Sequence, residues 1–128
     1  MAVYWLMFAW PAALAFFTGK NGPRAGRIAL TLIFIVFVIL IGLRDEVGGD
    51  WINYSDYTEQ VSFGSLSRAL LGNNEAGFAI ITWISTRIGS GVYGPSVFCA
   101  IVLMYAIVRF AQRQPDGWLA ITAAVPYL

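Results

Sequence analysis

Between Gly42 and Tyr54 the chain reads GLRDEVGGDWINY, and the groups able to do chemistry crowd into that stretch. The Asp50 carboxylate can accept a proton from a hydroxyl or hold that hydroxyl in place. The Arg44 guanidinium can grip phosphate oxygens through two parallel hydrogen bonds. Asp45 and Glu46 can supplement Asp50 or ligate a hard divalent cation, although adjacent side chains point in different directions. Gly48 and Gly49 allow a backbone path that residues with a Cβ resist, and let a bulky substrate come close. Trp51, Tyr54 and Tyr57 can stack on sugar rings. Each group also has a structural reading. Asp50 stands where an N-cap would satisfy the free donors of a helix starting at Trp51. Arg44 can snorkel from a helix end. The aromatic residues can anchor an interface, and Glu75 can complement the dipole of a helix it begins.

These residues follow a long apolar run, so the elements that position them belong to a membrane. Of the 128 residues, 59% are hydrophobic and 12% are charged, against roughly 25% charged in a soluble domain. A net charge of +1 gives no basis for nucleic acid binding. There is no histidine, which removes the usual imidazole base and the commonest zinc ligand. The single cysteine, Cys99, lies in an apolar run, so neither a disulfide framework nor a cysteine-rich metal site is expected.

Four apolar segments define the organisation: residues 2–17, 28–43, 95–110 and 118–128. The last breaks off well short of the ~20 residues a span requires. These 128 residues are therefore expected to be the N-terminal part of a longer polytopic membrane domain. The first segment reads as a retained helix, because no basic residue precedes it and Trp10-Pro11 interrupts it. Lys20, Arg24 and Arg27 sit between the first two segments without a nearby acid, which puts that turn on the cytoplasmic side. Residues 44–94 then form a long, acidic outer loop. Within it, Trp51, Tyr54, Thr58 and Val61 recur near helical spacing. So do Phe78, Ile81, Ile84 and Ile88, with Thr82, Ser85 and Thr86 opposite and Asn74 placed to cap. The second of these helices reads either as a short span or as an interfacial helix. The interfacial reading delivers Arg109 and Arg113 to the cytoplasm and is favoured by charge.

The stretch from Gly42 to Glu59, followed by NEAGFAIITWI, resembles the N-terminal region of the EpsG-type Wzy polymerases. The matching positions are Gly42, Leu43, Arg44, Glu46, Gly48, Asp50 and Tyr54, then Glu75, Ala76, Gly77 and Phe78. The likeness runs over roughly residues 40–88. It implies an all-α integral membrane protein of multiple transmembrane helices, with amphipathic juxtamembrane helices in the first long outer loop, similar to GT-C-type membrane glycosyltransferases. The implied enzyme polymerises undecaprenyl-pyrophosphate-linked oligosaccharide repeat units into exopolysaccharide, capsule or O-antigen, at the outer face of the bacterial cytoplasmic membrane. Asp50 and Arg44 would be catalytic, Asp50 handling the acceptor hydroxyl and Arg44 the pyrophosphate. Asp45, Glu46, Gly48, Trp51, Tyr54 and Glu75 would bind substrate. No cofactor is expected beyond a possible divalent cation. The implied partners are the lipid-linked oligosaccharide, membrane lipids, and the flippase and chain-length regulator of the same pathway.

Two other readings compete. A small non-enzymatic assembly or transporter subunit would tolerate loss of Asp50 and Arg44. A segment of a lipid-linked sugar flippase would need charges inside its spans, and the apolar runs carry one charge alone, Arg109, at the end of residues 95–110.

Overall fold

A computed structural model describes residues 2–17, 23–45, 49–71 and 75–127, and among these it contains helices and no strand. In chain order the helices are α1 (Ala2–Phe17), α2 (Pro23–Gly42), α3 (Trp51–Ser62), α4 (Leu66–Leu71), α5 (Ala76–Arg87), α6 (Tyr93–Ala111) and α7 (Gly117–Ala124). A 3-10 turn, Val125–Tyr127, follows α7. Contacts divide the chain into two units, one of residues 1–39 and 100–128 and one of residues 40–99.

In the first unit α1 packs against α7 and the 3-10 turn. Met7 and Pro11, one helical turn apart, are buried. Pro11 stands inside α1, where its missing N–H removes one backbone hydrogen bond. On α2, Ile33 and Phe37 are fully buried one turn apart, and on α6 Met104 is. The remaining apolar surface of these helices faces outward, including Trp5, Leu6, Phe16, Phe17, Tyr105 and Phe110. Soluble monomers rarely leave so much contiguous apolar surface uncovered. Asp116 caps α7, its carboxylate accepting from Leu119 N–H at 3.0 Å.

Helix α6 is long and apolar enough to cross a membrane, and only 22% of its most apolar window is buried. Its 19 residues rise about 28 Å, close to the ~30 Å hydrocarbon core. It begins at Tyr93, ahead of the expected Pro95. Pro95 still lies in the first turn, where no intrahelical partner exists for its absent N–H. Helix α2 likewise begins earlier than its apolar run, at Pro23, whose fixed φ suits a first helical position.

The second unit holds the residues of interest. Helices α3, α4 and α5 pack together around Val61, Ala69 and Ala79, with Tyr57 and Trp83 against that cluster. Two alanines here allow close helix approach. Tyr57 Oη donates to Ala69 C=O at 3.4 Å. Arg87 Nη2 donates to Gly64 C=O at 3.0 Å, which ties the end of α5 to the turn after α3, and the guanidinium also lies 5.2 Å above the Trp83 ring. Periodicity did not foresee α4, a single short helix between the two expected ones.

Helix α5 ends in a Schellman motif. Ser90 N–H reaches Ser85 C=O at 3.0 Å and Gly89 N–H reaches Thr86 C=O, with Gly89 at φ 78°. Ser85 Oγ then bonds Ser90 Oγ at 2.9 Å and Gly91 C=O, clamping the connection into α6. Gly94 closes the same joint, since a Cβ there would collide with Ser85. The inward face of α5 is Ala79, Thr82 and Ser85. Ile80, Ile84 and Ile88 point outward. Of the expected apolar stripe, Ile84 and Ile88 are exposed while Phe78 and Ile81 are partly buried; Ile80, outside that stripe, is exposed, and the polar, small-residue face is the buried one.

Candidate functional site

Arg44 and Asp45 emerge directly after α2, both exposed. Gly42, at the last turn of α2, lies against α6: a Cβ there would stand 2.8 Å from Val97 Cα. The glycine ahead of Leu43 and Arg44 is thus a packing glycine, which the sequence did not reveal.

Asp45 is held from α6. Tyr93 Oη donates to Asp45 Oδ1 at 3.0 Å. The same Tyr93 ring meets Trp51 of α3, with centroids 5.9 Å apart and planes tilted by 52°. Tyr93 therefore draws Asp45 and Trp51 to one place. Both were expected in the site, while Tyr93 was not. Its signal was an aromatic residue at the mouth of an apolar run, where rings commonly serve as anchors.

Asp50 occupies the N-cap position of α3, as its place in the sequence suggests. Its backbone carbonyl accepts from Tyr54 N–H at 3.0 Å, but its side chain makes no cap hydrogen bond. The cause is local geometry. Asp50 has φ −97° and ψ 3°, whereas Asp116, with φ −127° and ψ 96°, has the extended backbone that lets a carboxylate reach back. Asp50 is exposed, and its carboxylate stays available to a ligand.

Gly49 has neither a left-handed φ nor any atom near its would-be Cβ, so the conformational freedom expected at that position is not used. Glu46 and Gly48 lie outside the described residues, as does Asn74. Tyr54 packs on Phe78 of α5, with centroids 5.5 Å apart, and Tyr57 stacks on the same ring at 5.9 Å. Phe78 is the platform that joins α3 to α5. Glu75 is the N-cap residue of α5, with no side-chain cap hydrogen bond.

The Tyr93 contacts join Asp45 and Trp51; exposed Arg44 and the uncapped, exposed Asp50 are their neighbours along the chain. Among the described residues no group of three His, Cys, Asp or Glu side chains comes together to hold a metal ion. A cation at Asp45 and Glu46 would need further donors.

A family model for the EpsG family matches residues 27–128. The chain belongs to the EpsG family. Most of α2 and every later helix fall within the match, and so does each residue of the site. No curated protein matches the chain. No solved structure matches it either. EpsG membership carries a general role in polysaccharide polymerisation, an enzyme of the glycosyltransferase type. Together with the apolar α6 it makes this a membrane protein.

Proposed function

We propose that this EpsG-family chain polymerises oligosaccharide repeat units carried on undecaprenyl pyrophosphate, working at the outer face of the bacterial cytoplasmic membrane. Asp50 is the general base. The acceptor hydroxyl oxygen attacks the anomeric carbon of the growing chain and Asp50 takes its proton. The bond from that carbon to the pyrophosphate oxygen breaks, and the lipid pyrophosphate leaves with the electron pair. Arg44 binds the departing phosphate oxygens, where charge accumulates. The observation that carries this reading is the Asp50 side chain: it stands at a helix start, exposed, without the cap hydrogen bond that would explain it structurally.

The membrane arrangement follows from lengths and charges. Helix α5 has 12 residues and rises about 18 Å, too little for a hydrocarbon core of ~30 Å. An interfacial α5 keeps residues 44–94 outside and lets α6 return Arg109 and Arg113 to the cytoplasm.

The test is the polysaccharide made in cells whose only copy of the intact protein carries Asp50→Asn. Long polymer should disappear and single lipid-linked repeat units should accumulate. Long polymer of normal length from a normally expressed variant would overturn the proposal and favour a non-enzymatic membrane subunit.

A further inference from the structure

A second polar surface lies along α3, apart from Asp50. Ser55, Thr58, Glu59 and Ser62 recur at helical spacing and form one wall of a cleft of about 320 Å³. Thr86 and Gly91, from the end of α5 and the turn before α6, stand on the other side. The volume falls at the lower end of the roughly 300–1,000 Å³ of small-molecule sites.

The hydrogen-bond inventory tells what such a cleft accepts. Thr58 Oγ1 donates to Tyr54 C=O at 2.7 Å, Ser62 Oγ to Glu59 C=O at 2.6 Å and Thr86 Oγ1 to Trp83 C=O at 2.8 Å. Each of these three hydroxyl protons is engaged by its own helix, so their oxygens face the cleft chiefly as acceptors, while Ser55 keeps a hydroxyl able to donate. The Glu59 carboxylate adds two acceptor oxygens, and no lysine or arginine lines the cleft. A wall of acceptors with negative charge repels phosphate. It suits a ligand rich in O–H or N–H donors and without anionic charge. Trp51 shares the face of α3 that carries Ser55, Thr58 and Ser62, at i, i+4, i+7 and i+11. Ser55 is five residues along α3 from Asp50, about 7.5 Å of helical rise, and Ser62 about 18 Å. The cleft therefore lies beyond the reacting hydroxyl.

We infer that this cleft is a glycan subsite, which binds an uncharged sugar of the acceptor repeat unit next to the one that reacts at Asp50. The inference rests on the polymerase reading. Binding there is remote from the chemistry and positions the acceptor chain.

The experiment uses the intact protein in nanodiscs, titrated with the lipid-free repeat-unit oligosaccharide released from the host's own polymer and, separately, with inorganic pyrophosphate. Ser55→Phe fills the cleft, and Glu59→Gln keeps its shape while removing charge. Loss of one or two hydrogen bonds of ~1 kcal/mol each weakens binding by roughly five- to thirtyfold. Oligosaccharide affinity should fall by that factor in both variants, with pyrophosphate affinity unchanged and cellular polymer shortened. If Ser55→Phe does not fold, Glu59→Gln alone decides. Wild-type oligosaccharide affinity in the folded variants would overturn the subsite, as would loss of pyrophosphate binding instead. Asp50→Asn separates the two claims. If it abolishes polymer while the cleft variants behave as wild type, the subsite fails and the polymerase stands. If Asp50→Asn polymerises normally, the polymerase reading fails.

Discussion

Tyr93 donates a hydrogen bond to Asp45 across 48 residues of sequence, at 3.0 Å. That bond holds the first residues after α2 against the first turn of α6, and Trp51 leans on the same ring. A hydrogen bond to a carboxylate can contribute about 1.5–3 kcal/mol when shielded, but Tyr93 and Asp45 are exposed and water screens the pair. A coupling of about 0.5–1 kcal/mol is expected between Tyr93→Phe and Asp45→Ala in a double-mutant cycle read by thermal unfolding in one detergent. Additive effects would show that the bond adds no stability to the folded protein.

Asp50 and Asp116 both begin helices, yet they should respond in opposite ways to truncation. Asp116→Ala removes a formed cap and should cost about 1 kcal/mol of stability. Asp50→Ala removes no cap bond and should stay within about 0.5 kcal/mol of wild type, as surface changes do. In activity the order reverses, because loss of a general base lowers turnover by roughly 10²–10⁴. Thermal denaturation and an in-vitro elongation assay on the same two preparations check both halves. A strongly destabilised Asp50→Ala would return that residue to a structural role.

Arg44 follows α2 exposed to solvent, and its proposed work is bidentate contact with pyrophosphate. Arg44→Lys keeps the charge but loses the planar fork. Elongation by Arg44→Lys is expected to drop about tenfold, a loss of ~1.4 kcal/mol in transition-state stabilisation, and Arg44→Ala should drop further. Stability should not change in either variant. Equal activity of lysine and arginine would mean that only a positive charge is needed there.

Gly42 shows where sequence reading stopped. The residue was visible as part of a short pattern, but its reason is Val97, more than fifty positions away, and no local period reports such a contact. Gly42→Ala should destabilise by about 1–3 kcal/mol through overpacking. Val97→Ala should restore only part of that loss, because the nearest atom to the added Cβ is the Val97 Cα itself. Melting temperatures of the single and double variants give the answer, and full rescue would place the clash on the side chain.

Other features were legible for a physical reason, and their limits were physical too. Apolar runs and caps are local, so the helices other than α4, and the start of α3 after Asp50, could be read directly. Whether the Asp50 carboxylate turns back onto its helix depends on ψ, which residue type does not determine. The Tyr54–Phe78–Tyr57 stack and the Tyr93 contacts join separate helices and are set by packing. The α3 stripe of Ser55, Thr58, Glu59 and Ser62 was present in the sequence, but the turn that faces it was not foreseeable.

Helix α5 carries the sharpest prediction about environment. Periodicity groups Thr82 with Ser85, and Ile84 with Ile88, but it does not say which face turns inward. In the fold Thr82 and Ser85 are buried, and Thr82 Oγ1 has no hydrogen-bond partner among the described residues, while Ile80, Ile84 and Ile88 are exposed. Facing water, this choice is unfavourable twice over. Exposed by 40%, 48% and 73%, the three isoleucines each forgo part of the ~1.5–3 kcal/mol that full burial gives, and an unpaired hydroxyl costs about 1–3 kcal/mol. Facing hydrocarbon, the first penalty vanishes. Nitroxides placed by single cysteine exchange at Ile80, Ile84 and Ile88 in a Cys99→Ala background should therefore relax more with dissolved oxygen than with a water-soluble nickel chelate. Labels at Asp56 and Glu59 on α3 should do the reverse. Greater nickel access along the isoleucine stripe would put α5 in water and remove the interfacial helix from the proposed topology.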